Sequence, residues 1–185
     1  MIRRIADISF IVQPIAKSDL PRAERERFAV AQMVTEAFGE RAVKSNLPTG
    51  EPVVIVDSLP LNLHISISHS EDYSVIVWCE FVRVGVDIES QRPQLRRVAP
   101  KFLSEQELAY YKEDDQLLKA WTLKEAAFKA AGIEGAILSD FRLPLDPADK
   151  KIGVTHGNAD ISLEIVLSDY IMDNQQFISI VKLIP

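Results

Sequence analysis

The chain has 185 residues, of which 47% are hydrophobic and 26% charged, and its formal net charge is −6 at pH 7. This composition is typical of a globular protein, and the acidic balance argues against nucleic acid as a partner. No apolar run approaches the length of a membrane span, no secretion signal is evident, and the single cysteine, Cys79, fits a reducing compartment. We therefore expect a cytoplasmic protein that does not associate with a membrane.

The first part of the chain is predicted to contain one helix and several strands. Hydrophobic periodicity indicates a strand over residues 4–12 and a helix over 21–38 that ends at Gly39. A loop over 46–52 is followed by a strand over 53–56. A hairpin then pairs 63–68 with 75–81.

The second part repeats that order of elements. A strand over residues 82–89 precedes helices within 104–131, and a loop over 144–151 leads to a hairpin that pairs 161–167 with 176–183. Ser104 and Glu107 form a predicted capping box at the start of the helical region. Segregated strands and helices indicate the α+β class. We predict two similar α+β halves, residues 1–82 and 83–185.

The strand over 82–89 carries two carboxylates on one face. Gly85, Asp87 and Glu89 alternate with apolar residues, so they share that face. Residues two apart on a strand are roughly 6.5–7 Å apart, and carboxylates at this spacing can flank a hard cation such as Mg²⁺. The glycine would leave room for the ion. The alternative is the polar face of a half-exposed strand.

A helix with an unusual charged edge is predicted to end at Ala131. Asp114 or Asp115 is its expected N-cap and Gly132 its expected C′ residue. Leu117, Trp121 and Phe128 recur at helical spacing and are expected to face the core, with Lys124 in or beside their stripe.

Glu125 and Lys129 lie one turn apart and border the same stripe. A surface Glu–Lys pair is the alternative interpretation. We expect instead that Glu125 is a third carboxylate for the metal site.

A further polar cluster precedes the carboxylate strand. Ser66, Ser68 and Ser70 share one face of a strand that is expected to end near Ser68, and His69 follows. Hydroxyls and an imidazole at a strand end can donate to phosphate oxygens. The alternative is a polar strand that contains a satisfied histidine.

These motifs, in this order, resemble those of the 4′-phosphopantetheinyl transferases of the surfactin-synthetase-activating (Sfp) type. The matching stretches are Ser-Ile-Ser-His-Ser at 66–70, Gly-Val-Asp-Ile-Glu at 85–89 and Trp-Thr-Leu-Lys-Glu-Ala-Ala-Phe-Lys at 121–129. An intervening Phe-x-Ser-x-x-Glu element, at 102–107, also matches. The resemblance covers about residues 50–132.

The resemblance implies two similar α+β halves in a pseudo-twofold arrangement, with coenzyme A and a metal ion in the cleft between them. The implied reaction is that of a holo-[acyl-carrier-protein] synthase, which transfers the phosphopantetheine arm of coenzyme A to a serine of an apo acyl or peptidyl carrier protein and releases 3′,5′-ADP. The implied ligands of Mg²⁺, or of Mn²⁺, are Asp87, Glu89 and Glu125. The implied coenzyme contacts are Ser68, His69, Lys124 and Lys129. The implied catalytic residues are Glu125 as the base, Lys129 at the leaving phosphate and His69.

One position departs from the family pattern, and two basic segments call for an explanation. Glu51 stands where the family often has the lysine of Gly-Lys-Pro. The arginines early in the first helix are candidates for the 3′-phosphate of coenzyme A: Arg22, Arg25 and Arg27. The segment 91–101 contains basic residues and no acid, and we expect it to dock an acidic carrier: Arg92, Arg96, Arg97 and Lys101.

Two other functions remain open from the sequence. A different metal-dependent phosphoesterase would explain the carboxylates but not the 121–129 motif. A non-catalytic binder of carrier proteins would explain the resemblance but not the intact charged residues. Because two halves in one chain would complete the cleft, we expect an active monomer.

Overall fold

The computed structural model describes residues 1–171 and 176–185, which form four layers in the order helix, sheet, sheet, helix. The α+β class is confirmed. None of the helices within these described ranges combines the length and apolar character needed to cross a lipid bilayer.

The first sheet has four antiparallel strands in the order β1-β2-β7-β6. They are β1 (Arg3–Ile5), β2 (Ile8–Pro14), β6 (His64–His69) and β7 (Tyr73–Cys79). The single strand predicted over 4–12 is wrong, because the chain reverses at Ala6 and Asp7 and pairs Ile5 with Ile8. Ala6 has a φ of 52°, a left-handed conformation that periodicity does not indicate. The predicted 63–68/75–81 hairpin is confirmed, and its first strand continues to His69.

A helix and a small sheet cover the outer face of this first sheet. Helix α1 (Arg22–Phe38) ends before Gly39, as predicted. The small sheet consists of β3 (Ala42–Asn46), β4 (Pro52–Val56) and β5 (Leu59–Pro60). Of these, β3 and β5 were not predicted. Val30 and Met33 of α1 pack with Ile11 and Ile76 of the sheet and with Val54 of β4.

The second sheet has five antiparallel strands in the order β8-β12-β11-β10-β9. They are β8 (Val84–Glu89), β9 (Phe141–Arg142), β10 (Lys151–His156), β11 (Ala159–Ile171) and β12 (Gln176–Leu183). The hairpin predicted over 161–167 and 176–183 is confirmed, with a longer first strand. Strands β9 and β10 were missed.

Three helices lie between β8 and β9. Helix α2 (Leu95–Val98) occupies the basic segment, α3 (Glu105–Tyr110) follows it, and α4 (Asp114–Ala131) packs on the outer face of the second sheet. The Ser104–Glu107 capping box is confirmed. The N-cap of α4 is Glu113, one residue before the predicted carboxylates, and Gly132 ends the helix with a left-handed φ of 57°, as expected.

The two large sheets share one hydrophobic core. Val86 and Ile88 of β8 point into it and pack with Ile8, Phe10 and Val77 of the first sheet. The opposite face of β8 lies under α4, so every residue of this strand is buried. The half-exposed alternative for β8 is therefore wrong. Both halves of the chain carry one long helix outside a sheet, but their sheets differ in strand number and order, and the pseudo-twofold relation stays a prediction.

Gly85 permits a close approach between the backbones of α4 and β8. A Cβ atom at this position would lie 1.9 Å from the carbonyl oxygen of Ala126 and 2.6 Å from the amide nitrogen of Ala130. The space beside Gly85 is therefore filled by the backbone of α4, whereas the sequence suggested that it would hold the metal ion. This contact sets how close the side chains of α4 come to those of β8.

Gly85→Ala is expected to destabilise the protein by about 3 kcal/mol or more. The added Cβ atom would clash with two backbone atoms of α4, which cannot move aside as the end of a flexible side chain could. Denaturant unfolding monitored by circular dichroism measures the loss. The matched control is Gly153→Ala in β10, because a Cβ atom there meets nothing within 4 Å. Equal losses in the two variants would contradict the steric account of Gly85.

Candidate active site

The candidate site lies where the carboxyl end of β8 meets the polar edge of α4. Asp87 and Glu89 are 5% and 7% exposed, although they are ionisable. Glu125 and Lys129, one helical turn apart, are half-buried and approach them from α4. The structure thus places four of the residues predicted for one site, Asp87, Glu89, Glu125 and Lys129, on two packed elements.

Asp87 has one oxygen with two donors and one oxygen without any. Its Oδ1 accepts from the hydroxyl of Ser68 at 2.7 Å and from Nζ of Lys129 at 3.0 Å. Lys129 also donates to the carbonyl of Val86 at 2.9 Å. The Oδ2 of Asp87 is buried and has no hydrogen-bond partner among residues 1–171 and 176–185. A buried, unsatisfied carboxylate oxygen is costly unless a ligand completes it.

The two glutamates are held in an environment that disfavours their charge. Burial raises the pKa of Glu89 to about 7, and the neighbouring Asp87 adds to the shift, while an ion pair with Arg92 at 2.6 Å opposes it. Burial and Asp87 also raise the pKa of Glu125. Like charges this close, out of water, call for a cation between them.

The donor set fits a hard divalent ion, since Mg²⁺ and Mn²⁺ prefer carboxylate oxygens. As placed, no three Asp, Glu, His or Cys side chains in the described part of the chain converge closely enough to hold a metal. Lys129 and Arg92 occupy positions on Asp87 and Glu89 that an ion would compete for. The open Oδ2 of Asp87 and the raised pKa of both glutamates are the observations that favour the fit.

A cleft of about 1960 Å³ opens beside this cluster, between the two halves of the chain. On one side it is lined by α1 and by strands β3, β4 and β6, and on the other by the end of α4 and the residues that follow. His69 and Lys129 lie in its wall. The Nδ1 atom of His69 is 2.8 Å from the hydroxyl of Ser74, and burial lowers the pKa of the ring, which favours a neutral imidazole.

Phe128 was assigned to the core, and this is wrong. Its side chain is 40% exposed and contributes an apolar surface to the cleft, next to Lys129. Helical periodicity places Phe128 near the apolar stripe but does not indicate that the layer opposite it ends there. Trp121, by contrast, packs edge-on against Phe102, with ring centroids 5.1 Å apart.

Lys124 is not among the residues that line the cleft, and its predicted contact with the coenzyme stays a prediction. Its side chain is 0% exposed, and its Nζ atom lies 3.0 Å from Oε2 of Glu107. Glu107 also accepts from the amides of Ser104 and Leu143, both at 2.7 Å. The pair therefore ties α3 and the segment before β9 to α4.

Glu51, at the position of the family lysine, pairs with Arg83 across the cleft wall. The Nε atom of Arg83 donates to the carbonyl of Ala130 at 3.1 Å, and its guanidinium fills the space beside Gly132. The cation that this region of the cleft presents is therefore Arg83. No sequence signal identified Arg83, because its partner lies 32 residues away.

Of the three arginines early in α1, only Arg27 is among the residues that line the cleft. Arg22 instead pairs with Glu26 at 2.7 Å, and the Nε atom of Arg25 is buried without a hydrogen-bond partner in the described ranges. A role of Arg22 and Arg25 at a phosphate is therefore not supported by this geometry.

The basic segment is partly neutralised within the protein. Arg92 pairs with Glu89, and Arg96 pairs with Asp114 at 2.7 Å. Arg97 and Lys101 are exposed. The cationic surface beside the site is therefore smaller than the four-residue patch that the sequence predicted.

Glu107→Gln is expected to cost about 3–5 kcal/mol of stability, because it leaves the ammonium of Lys124 buried without a counter-charge. The measurement is urea unfolding at neutral pH. Glu105→Gln on the same helix is the control, since Glu105 is exposed and its loss is expected to stay within about 0.5 kcal/mol. A Glu107→Gln variant as stable as this control would show that the pair does not tie the helices together.

The family model described as the 4′-phosphopantetheinyl transferase superfamily matches residues 83–175, just over half of the chain, and these include the carboxylates and the α4 motif. A search of curated proteins finds no match for the chain. With the family match and the arrangement of Asp87, Glu89, Glu125 and Lys129 in agreement, the chain belongs to the 4′-phosphopantetheinyl transferase superfamily.

Proposed function

We propose that this protein transfers the 4′-phosphopantetheine group of coenzyme A to a serine hydroxyl of an apo acyl or peptidyl carrier protein, as an enzyme of the Sfp type. The observation that carries the proposal is the contact between Lys129, which lines a large cleft, and Asp87, with Glu89 and Glu125 as electrostatic neighbours of Asp87. Superfamily membership gives the reaction class. The choice of carrier and the Sfp subtype are our inference from the motifs.

The reaction joins the serine oxygen to the phosphorus that bears pantetheine and breaks the bond from that phosphorus to the bridging oxygen. The bonding electrons remain on the 5′-phosphate of 3′,5′-ADP, and the serine proton must go to a base. Glu125, half-buried on α4, is our candidate to accept it, directly or through water. Lys129 is the cation best located to offset charge on the departing phosphate.

Asp87, Glu89 and Glu125 are the residues that would hold Mg²⁺ or Mn²⁺ in this scheme. When bound, the ion supplies positive charge to the pyrophosphate oxygens, as divalent ions commonly do in phosphoryl-type reactions. Lys129 and Arg92 partly neutralise the same carboxylates in its absence. His69, whose lowered pKa favours the neutral ring, can donate one ring N–H to a phosphate oxygen.

The size and lining of the cleft support a long, anionic ligand. Its volume of about 1960 Å³ exceeds the roughly 300–1,000 Å³ common for small-molecule pockets. Its lining includes the basic residues Lys129, His69, Arg83 and Lys44. Phe128 adds an apolar surface. Coenzyme A, with separated phosphates and a nucleoside, has this alternation of charged and apolar parts.

We retain three further expectations as proposals. The halves 1–82 and 83–185 would be the two similar domains. The protein would act as a monomer, because the cleft is lined from within one chain. Arg97 and Lys101 would steer an acidic carrier towards the site, since a net charge of −6 gives no attraction overall.

The direct test is intact-mass spectrometry of purified apo carriers incubated with this protein, coenzyme A and Mg²⁺. We expect a gain of one phosphopantetheine group on a carrier and release of 3′,5′-ADP. Coenzyme A cleavage without any carrier would instead support a phosphoesterase. Carrier binding without a mass gain would support the non-catalytic binder.

Glu125→Gln keeps the shape of the side chain and removes its charge and basicity. If Glu125 accepts the proton and contacts the metal, kcat is expected to fall by about 10²–10⁴-fold while the protein stays folded. Glu134→Gln serves as the control, since Glu134 also lines the cleft but lies beyond the end of α4. Near wild-type turnover by Glu125→Gln would remove both of its roles.

The carrier surface is tested by reversing the two exposed charges, Arg97→Glu with Lys101→Glu. Exposed charges are each worth up to about 1 kcal/mol, so the KM for the carrier is expected to rise roughly tenfold at low salt and less at high salt. The KM for coenzyme A is expected to stay constant. Lys151→Glu is the control, because it is exposed on β10, which is separated from β8 by two strands. A loss of coenzyme A binding would show that the patch holds the nucleotide instead.

A further inference from the structure

The hydroxyl of Ser68 donates its hydrogen bond to a carboxylate of the protein. Its hydroxyl donates to Oδ1 of Asp87 at 2.7 Å, and the two residues are 7% and 5% exposed. A serine hydroxyl has a single proton to donate. Phosphate oxygens are acceptors, so Ser68 cannot offer them a hydrogen bond while it holds Asp87. The role at a phosphate that the resemblance implies is therefore in conflict with this geometry.

The bond from Ser68 crosses between two sheets that share no backbone pairing here. Strand β6 is an edge of the first sheet and β8 an edge of the second. Edge strands leave a row of backbone groups without partners. Ser66, two residues before Ser68 on the same face, accepts from the amide of Val86 at 3.2 Å and so satisfies one of these groups. The two serines join β6 to β8 through side chains.

The third serine of the motif is occupied locally. Ser70 contacts the backbone of Tyr73 and accepts its amide at 3.2 Å, which closes the turn between β6 and β7. Ser66, Ile67 and His69 of the motif line the cleft, whereas Ser68 and Ser70 are not among its lining residues. His69 carries the ring nitrogen that is available to a ligand, since its other nitrogen, Nδ1, contacts Ser74.

The effect on Asp87 is to fix which oxygen stays open. Oδ1 accepts from both Ser68 and Lys129, whereas Oδ2 is buried without a partner in residues 1–171 and 176–185. Lys129 has a long, flexible side chain and a second acceptor in the carbonyl of Val86. Ser68 is short and held in a strand, so it is the donor that constrains the plane of the carboxylate.

We propose that Ser68 is a positioning residue, which orients the Asp87 carboxylate so that Oδ2 is presented to a divalent cation. This inference rests on the proposed function, because it takes Asp87 as a metal ligand. Hydrogen-bonded partners of metal ligands typically account for about 10–100-fold in metal affinity. The inference therefore concerns the affinity for the ion rather than the affinity for coenzyme A.

The test measures Mn²⁺ binding directly, by the electron paramagnetic resonance signal of the free ion, with coenzyme A present and no carrier protein. Ser68→Ala is expected to weaken Mn²⁺ binding by about 10–100-fold. Ser68→Thr keeps the hydroxyl and is expected to retain most of the affinity. The KM for coenzyme A, measured at saturating Mn²⁺, is expected to be the same in Ser68→Ala as in the wild type.

Ser66→Ala is the matched control, because Ser66 lies on the same strand face and bonds the backbone of β8 without touching the carboxylate. It is expected to lower stability and to leave Mn²⁺ affinity unchanged. If Ser68→Ala does not fold, Ser68→Cys replaces it, since a thiol is a weak donor and a loss of affinity in the same direction is expected.

Unchanged Mn²⁺ affinity in Ser68→Ala, or in Ser68→Cys when that variant replaces it, would overturn the inference. If the KM for coenzyme A were raised as well, Ser68 would be assigned to the phosphate contact that the resemblance implies. If the wild-type protein itself bound no Mn²⁺ in the presence of coenzyme A, both the inference and the metal-dependent reaction would fail. If transfer by the wild type required the metal, and the wild type and Ser68→Ala bound Mn²⁺ with equal affinity, only the role of Ser68 would be rejected and the proposed function would stand.

Discussion

The site depends on how closely the backbone of α4 approaches β8 at Gly85. The missing side chain lets the carbonyl of Ala126 and the amide of Ala130 sit where a Cβ atom would otherwise be. The same contact brings Lys129 of the helix to Asp87 of the strand. The glycine in this motif therefore serves the chemistry indirectly, by setting the separation between the strand carboxylates and the helix that carries Glu125 and Lys129.

The carboxylates at this contact raise the free-energy cost of one another's negative charge. Burial costs free energy for each ionised carboxylate, and the proximity of Asp87 adds to the cost for both Glu89 and Glu125. Lys129 and Arg92 offset part of it from the sides. The cluster thus combines burial, neighbouring like charges and raised pKa values of Glu89 and Glu125, a combination that is common at ligand sites.

Many positions of the site could be predicted from the sequence, because they follow from the regular spacing of residues within one strand or helix. Alternation put Asp87 and Glu89 on one face of β8, helical spacing put Glu125 beside Lys129, and Ser104 with Glu107 gave a cap. The periodicity of a helix or strand does not indicate which residues of other elements pack against it. The pairing of Lys124 with Glu107 and the exposure of Phe128 both depend on a neighbouring layer. The reversal at Ala6 and the short strand β9 escaped for a related reason, since neither carries a strong turn or alternation signal.

The core shared by the two large sheets limits how the cleft can work. Val86 and Ile88 of one half pack directly on Ile8 and Phe10 of the other, and Ser66 and Ser68 bond across the same boundary. Walls joined by a packed core cannot swing apart as rigid bodies without exposing that core to water. A ligand of the cleft would therefore meet a groove that is already open, with the Glu51–Arg83 pair in its wall, and would not depend on hinge motion between the halves.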